Sequence, residues 1–152
     1  MEKVDYTPPQ SDYIELIREK TKRQFFMKLM DMDLTVIEPG WVEAELEIQE
    51  KHFQQNYFVH GGVMSTASDI VMGFAAYTLC REHKGVVTAN LEVNYLNPGI
   101  GQKLIAKGRV RKAGSKLFFC EAEIYVVNNG KPTLTNTASS IMTIIDLVPI
   151  AH

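Results

Sequence analysis

The feature that most restricts the fold is a long apolar segment in the middle of the chain, from Gly61 to Cys80. It is rich in Ala and Met, and Asp69 is its single charged residue. A helix that is apolar on nearly every side must be enclosed by other structure, because a surface helix shows one polar face. We therefore predict a buried central helix, and the rest of this 152-residue chain must supply its cover.

The segments around this helix are predicted to be strands, because their apolar residues recur with a period of two. Before the helix, Glu38-Pro39-Gly40 is predicted to be a turn between two short strands, residues 34–37 and 41–48. Alternation in the second strand separates a buried face from a wet one. The buried face is Val42, Ala44, Leu46 and Ile48, and the wet face is Trp41, Glu43, Glu45 and Glu47.

Four further strands are predicted after the helix. Each break between them carries Gly with Asn, Ser or Pro, which is the composition of tight hairpin turns. We therefore expect these strands to pair in chain order as an antiparallel meander. They span residues 86–96, 103–111, 117–127 and 133–145.

An amphipathic helix is predicted near the start of the chain, over residues 11–30, with Pro8 and Pro9 in its first turn. Its apolar positions recur every three or four residues, with charged residues between them. These positions are Ile14, Ile17, Thr21, Phe25 and Leu29. Two capping pairs both remain open, Thr7 with Gln10 and Ser11 with Glu15.

This order of elements predicts an α+β fold, in which a curved antiparallel β-sheet wraps around one long central α-helix. We assign residues 1–31 to an N-terminal helical extension and residues 32–152 to the main domain. Such a sheet has open edges, and edge-to-edge pairing of two copies would cover them. A homodimer is therefore expected on structural grounds alone.

Composition limits the class of protein. The chain has 16 basic and 18 acidic residues, a net charge of −2, and 45% hydrophobic residues, which describes an ordinary globular domain and not a nucleic-acid binder. No stretch reaches the roughly 18 uninterrupted apolar residues of a membrane helix, and the first residues lack the apolar run of a signal peptide. Cys80 and Cys120 lie in apolar stretches without metal-ligand spacing, so we expect reduced core thiols, no bound metal and a cytoplasmic location.

The start of the central helix carries the chemistry. Gly61 and Gly62 allow close backbone approach to a ligand, and the first helical turn offers unpaired N–H groups at the positive end of the helix dipole. Such a site suits a carbonyl oxygen that becomes negative during a reaction. Two turns later, Asp69 is expected to be a buried carboxylate, which is costly unless it is hydrogen-bonded or used as a general base.

Each of these residues also has a purely structural interpretation. Asp69 would then bond core hydroxyls or cap a neighbouring turn, and the glycine pair would only make a tight turn. His60, which precedes the glycines, is more often a structural hydrogen-bonding residue than a base.

The motif His60-Gly61-Gly62, followed by Asp69 and then by Gly73, resembles that of the hotdog-fold acyl-CoA thioesterases of the phenylacetate-pathway, or PaaI-like, type. The similarity continues through residues 87–98, 111–115 and the final strand. It covers residues 41–145 and leaves the N-terminal helix outside.

The resemblance implies hydrolysis of an acyl-CoA thioester to the free acid and coenzyme A. Asp69 would act as general base or nucleophile, a backbone N–H of Gly61 or Gly62 would hold the oxyanion, and Thr88 would orient the attacking water. The site would lie between the subunits of a homodimer or of a dimer of dimers, with Asp69 facing the partner's glycine loop. No cofactor is implied, because coenzyme A is part of the substrate.

The chain departs from the family pattern six residues before His60. The family often has Asn there, whereas this chain has Gln54, with Asn56 two residues later. If Gln54 takes this role, the amide that contacts the thioester oxygen is carried by a side chain that is one methylene longer than that of Asn. Which of Gln54, Gln55 and Asn56 faces the site is left open.

Substrate contacts are expected from two places. Four side chains of the central helix would line an acyl pocket or, alternatively, belong to the core: Met64, Met72, Phe74 and Tyr77. Gly73 is a further substrate-binding candidate, and Asn90, on the same strand face as Thr88, would be a polar group of the pocket. A basic run from Lys103 to Lys116 would meet the phosphates of coenzyme A. The phosphate candidates are Arg111, Lys112 and Ser115; the alternative is a solvated outer strand face.

Two other functions compete with a thioesterase. One is a non-catalytic acyl-CoA binding or sensor protein, and the other is a hydratase or dehydratase on the same fold. The acyl group stays open, because single methylenes change binding by only about 1 to 3 kcal/mol.

Overall fold

A computed structural model describes residues 1–147 of the chain. It contains three α-helices and six β-strands. The helices are α1 (Tyr13–Lys22), α2 (Phe25–Leu29) and α3 (Gly61–Tyr77). The strands are β1 (Asp33–Glu38), β2 (Trp41–Glu47), β3 (Lys84–Tyr95), β4 (Lys103–Ala113), β5 (Leu117–Asn128) and β6 (Lys131–Asp146).

The six strands form one antiparallel sheet in the order β1-β2-β4-β5-β6-β3. Helix α3 packs on one face of this sheet and buries ten of its residues, among them Val71 and Met72. The arrangement confirms the predicted α+β class and the predicted central helix. It also confirms the turn at Glu38-Pro39-Gly40, where Gly40 adopts the positive φ of 70° that the turn requires.

The predicted meander is wrong for one of its four strands. Strands β4, β5 and β6 pair in chain order, but β3 pairs with β6 and lies at the sheet edge. Residues 97–99 are therefore a crossover connection and not a hairpin turn. The reason is that β4 already has β2 on one side and β5 on the other, so it offers no free edge to β3. Turn residues indicate where a strand ends, but not which strand it pairs with.

Strand β2 keeps the predicted alternation with one exception. Val42, Ala44 and Leu46 are buried as expected, but Trp41 is only 5% exposed although it was assigned to the wet face. The N-terminal segment covers it: the Lys3 ammonium lies 5.3 Å from the Trp41 ring centroid. The indole Nε1–H donates to Glu43 at 3.0 Å, which satisfies its polar atom.

The predicted N-terminal helix is broken in two. Gln24 has φ −83° and ψ 79°, outside the helical region, and it separates α1 from α2. The break re-aims the second segment so that Met27 enters the core, whereas Phe25 and Leu29 remain exposed. Both prolines precede the helix, and Asp12 begins it without a side-chain cap, so neither predicted capping pair is used.

The two cysteines behave as the sequence predicts. Cys80 and Cys120 are both free and buried. Burial raises the pKa of Cys80 to about 11 and that of Cys120 to about 12, so both thiols stay protonated near neutral pH.

A buried histidine attaches the N-terminal helices to the sheet. His52 is fully buried; its Nδ1 accepts from the Gln49 N–H at 2.9 Å, and its Nε2–H donates to the Met30 carbonyl at 3.0 Å. These bonds join the end of α2 to the short turn after β2. Burial disfavours the charged ring and holds the pKa of His52 below its ordinary value.

The buried His52 ring predicts a pH-dependent stability. An unfolded chain exposes this histidine, which then takes up a proton below about pH 6.5, so the stabilising contribution of the neutral ring is lost as pH falls. We expect His52→Gln to reduce the free energy of unfolding at pH 7 by about 1 to 3 kcal/mol, through lost buried hydrogen bonds. The difference in free energy of unfolding between wild type and variant is expected to become smaller as pH falls from 7 to 5. Urea unfolding measures this difference.

His83 provides the matched control, because its side chain is 83% exposed. His83→Gln is expected to follow the wild-type curve at every pH. A gap between wild type and His52→Gln that stays constant across this pH range contradicts the role of the neutral ring.

Candidate functional site

One face of α3 is left uncovered by the sheet. The residues on it are half-buried or exposed, whereas the remaining faces of the helix are buried. They recur at intervals of three or four, as one helix face requires. This open face consists of Gly62, Ser65, Thr66, Asp69, Gly73 and Tyr77.

Asp69 and Thr88 meet beside this open face. The Thr88 hydroxyl donates to Asp69 Oδ1 at 2.7 Å and also lies 3.4 Å from the Met142 sulfur. The structure thus joins a carboxylate from the helix with a hydroxyl from the edge strand β3. Asp69 is half-buried and not enclosed as the sequence suggested, because it lies on the one face that the sheet leaves open.

A β-bulge at Ala89 separates Asn90 from this pair. Thr88 lies opposite Met142, which is buried on the helix side, but Asn90 lies opposite Ile141 on the outer side. The expectation that Asn90 shares a face with Thr88 is therefore wrong, because the extra residue reverses the alternation. Asn90 instead lines a groove on the outer sheet surface with Arg111.

The two glycines at the start of α3 differ in what their N–H groups do. His60 is the N-cap residue, and its Nδ1 accepts from the Gly62 N–H at 2.8 Å. No acceptor for the Gly61 N–H lies among residues 1–147. Tyr95 reinforces this turn by donating its hydroxyl to the Gly61 carbonyl at 2.9 Å. Of the two glycine N–H groups, only that of Gly61 is without a partner among residues 1–147 and can receive a ligand oxygen.

Within one chain, Gly61 and Asp69 are too far apart to act on one carbonyl group. They are eight residues apart on the same helix, which is about 12 Å at 1.5 Å per residue. An oxyanion donor must lie about 3 Å from the reacting oxygen, and the attacking group must reach the adjacent carbon. The two groups therefore lie at different heights along α3.

A cavity of about 380 Å³ opens beside Asp69. Its walls come from α3, from the start of β3 and from α1. Gly73 lies one turn after Asp69, and a Cβ there would meet nothing within 4 Å, so this position keeps the cavity open. Lys20 near the end of α1, with Arg23 and Gln24 just after it, completes this wall. No local pattern predicts this contribution, because the approach depends on tertiary packing.

Met72 was expected to line this cavity, but it is fully buried and faces the sheet. The Ser140 hydroxyl donates to its sulfur at 3.3 Å. Met72 therefore belongs to the core, as does the buried Met64, whereas Gly73, Phe74 and Tyr77 line the cavity.

The basic run on β4 lies on one outer strand face, but most of its charge is already paired within the chain. Lys103 bonds Glu45 at 2.8 Å, and Arg111 bonds Glu121 at 3.0 Å. Burial alone raises the pKa of Glu121, but the hydrogen bonds and charges of Arg109 and Arg111 outweigh it and hold that pKa below its usual range. These ion pairs favour the alternative of a solvated outer face.

The other expected contacts lie away from Asp69. Lys112 is exposed near the end of β4, and Ser115 lies in the following turn, beside residues just after the C-terminal end of α3. Before the helix, the Gln54 side chain folds back to accept from the Asn56 N–H at 2.7 Å. Gln54 is half-buried, whereas Gln55 and Asn56 are exposed.

Residues 1–147 contain neither a cluster of metal-binding side chains nor a membrane-spanning helix. No three His, Cys, Asp or Glu side chains in this part of the chain are close enough together to hold a metal ion. None of its helices is both long and apolar enough to cross a membrane.

Comparison with known proteins agrees with this geometry. A model of the thioesterase superfamily matches residues 56–133, just over half of the chain. Human acyl-coenzyme A thioesterase 13 is 27% identical over 120 residues, which cover 77% of this chain and 84% of that protein.

Two solved structures have the same architecture. A thioesterase family protein from Silicibacter pomeroyi superposes with a TM-score of 0.86 at 28% identity, over 88% of this chain and 98% of that one. The E. coli PaaI protein from the phenylacetic acid degradation operon superposes with a TM-score of 0.79 over 90% of this chain and 96% of that one. At 16% identity, the second likeness concerns the fold alone.

Proposed function

Because this chain belongs to the thioesterase superfamily, we propose that it is an acyl-CoA thioesterase in which Asp69 attacks or activates water at the thioester carbonyl. Family membership makes it a thioester hydrolase of the PaaI-like type, and its sheet and central helix form the predicted hotdog fold. The acyl-CoA substrate is inferred from its likeness to acyl-coenzyme A thioesterase 13.

The observation that carries this proposal is the hydrogen bond from Thr88 to Asp69 Oδ1. It fixes the carboxylate and leaves Oδ2 to accept a proton from water, while the threonine oxygen retains lone pairs that can orient the same water. The hydroxide adds to the thioester carbon, and collapse of the tetrahedral intermediate breaks the C–S bond. The thiolate of coenzyme A leaves and takes up a proton. The alternative step is direct attack by Asp69 to give an acyl anhydride, which water then hydrolyses.

The oxyanion donor is assigned to the Gly61 N–H and not to that of Gly62. The Gly62 N–H is occupied by the His60 ring, which makes His60 the residue that organises the turn. The first turn of α3 adds the positive end of the helix dipole, which favours the negative oxygen of the intermediate. Residues Gln54 and Asn56 lie in the loop just before this turn, and an amide from this loop is a second candidate donor.

A partner chain would bring Asp69 of one chain beside Gly61 of the other. Strand β3 forms one sheet edge, and much of it is exposed, including Val87 at 47% and Tyr95 at 53%. Pairing two β3 strands about a two-fold axis would place the two α3 helices antiparallel, with their open faces together. With the axis near Ser65, Asp69 of one chain lies beside Gly61 of the other, because both are four residues from Ser65. The small residues of the open face permit this close approach.

The catalytic role of Asp69 predicts a large loss of rate in Asp69→Asn, which keeps the size and polarity of the side chain but cannot take a proton. We expect kcat to fall by about 10² to 10⁴. The measurement is steady-state hydrolysis of a panel of acyl-CoAs with detection of the released thiol. Asp5→Asn is the control, because Asp5 is exposed and far from α3 in sequence. Binding of acyl-CoA by wild type without turnover would contradict the proposal and indicate a sensor protein.

The oxyanion role of Gly61 predicts a comparable loss in Gly61→Pro. Proline removes the N–H, suits the first position of a helix, and accepts the extended conformation of His60 before it, with φ −61° and ψ 137°. We expect kcat to fall by about 10² to 10³. Gly61→Ala is the matched control: its Cβ also lies 3.3 Å from the Tyr95 ring, but it keeps the N–H. Equal rates in the two variants would remove Gly61 from the oxyanion hole.

A further inference from the structure

The cavity beside Asp69 has opposite charges at its two ends. Asp69 and Thr88 lie at one end, while Lys20 of α1 and Arg23 just after this helix line the part near Tyr77. The walls between them are mainly apolar and include Ile70, Phe74, Val86 and Met142. The N-terminal helix thus supplies positive charge to a cavity that starts at the proposed reaction centre.

Lys20 has no acidic partner among residues 1–147. It is half-buried, and its ammonium group lies 4.7 Å from the centroid of the Tyr77 ring, which also lines the cavity. Neither Lys20 nor Arg23 forms an ion pair with any residue from 1 to 147, whereas Lys22 on the same helix pairs with Glu19. A partly desolvated cation that lacks a counter-charge is prepared for a ligand anion.

The spacing of the two ends matches an extended acyl chain. Asp69 and Tyr77 are eight residues apart on α3, which corresponds to about 12 Å along the helix axis. Because the Lys20 ammonium lies over the Tyr77 ring, a ligand group of about this length would join the thioester carbon to the ammonium.

The acyl side of the substrate suits this interval better than the coenzyme A side. The phosphates of coenzyme A lie beyond the whole pantetheine arm, whose two amide groups would face the apolar walls without hydrogen-bond partners. A polymethylene chain has no polar atoms to satisfy and matches these walls. An anionic group at its far end would meet Lys20 and Arg23.

We propose that the cavity binds acyl groups that end in a carboxylate, so that the preferred substrates are CoA thioesters of dicarboxylic acids. Lys20 is the principal contact for the distal carboxylate, and Arg23 reinforces it from the next turn. This specificity rests on the proposed thioesterase function, and it assigns a substrate role to the N-terminal helices.

The test compares two CoA thioesters of equal chain length, suberoyl-CoA and octanoyl-CoA, which differ in the carboxylate at the far end. The quantity measured is the ratio of their kcat/KM values. Wild type is expected to favour suberoyl-CoA. Lys20→Met keeps the length of the side chain but removes the charge, and it is expected to lower the ratio by roughly tenfold or more. Arg23→Gln is expected to lower it in the same direction.

Lys22→Met is the matched control, because it removes a cation from the same last turn of α1 outside the cavity lining. It is expected to leave the ratio as in wild type. Should Lys20→Met fail to fold, the wild-type ratio and Arg23→Gln, whose side chain is exposed, decide the question.

A wild-type preference for octanoyl-CoA, or an unchanged ratio in both variants, overturns the proposal. An equal loss for both substrates together with weaker inhibition by free coenzyme A also overturns it, because the cations would then bind phosphates. These outcomes leave the thioesterase function intact. That function fails separately if wild type hydrolyses no acyl-CoA at all.

Discussion

The close packing of α3 on the sheet is the contact on which the rest of the structure depends. At Gly108 in β4, an added Cβ would lie 2.5 Å from the carbonyl carbon of Val71 and 2.8 Å from the Met72 nitrogen. Helix backbone and strand backbone therefore approach as closely as a glycine allows. This approach buries most of α3 and aligns one remaining face, with Asp69 on it, along the rim of the sheet. A helix held further away would not bring the carboxylate within 2.7 Å of the Thr88 hydroxyl on the edge strand.

The same geometry explains why charge is distributed as it is. On the outer face, Lys103 and Arg111 are neutralised by glutamates of neighbouring strands, which makes this surface a set of cross-strand ion pairs. Beside the helix, by contrast, Asp69 has a hydroxyl as its partner and Lys20 an aromatic ring. Within residues 1–147, neither Asp69 nor Lys20 is paired with an opposite charge. Both line the same cavity, where one substrate can contact them together.

Local pattern was sufficient to predict the elements of this fold, but not all of their neighbours. The all-apolar segment after Gly61 predicts the central helix, and alternation predicts the buried face of β2. Three features depend on contacts between distant segments, which the periodicity of a sequence does not report. They are the pairing of β3 with β6, the break at Gln24 and the burial of Trp41. The site divides in the same way. The glycine turn and Asp69 were recognisable from their spacing, and Thr88 from the resemblance to the family. The bulge at Ala89 and the approach of α1 to the cavity could not be predicted from local sequence pattern.

Mixed dimers can show whether each active site combines Asp69 of one chain with Gly61 of another. Homodimers of Asp69→Asn and of Gly61→Pro each carry the same defect at both sites. After subunit exchange, a mixed dimer has one site with both defects and one site with none. With random exchange of equal amounts, a site shared between chains is expected to restore about a quarter of the wild-type rate, averaged over all sites. No recovery, when exchange is verified by distinct mass tags, would contradict a shared site.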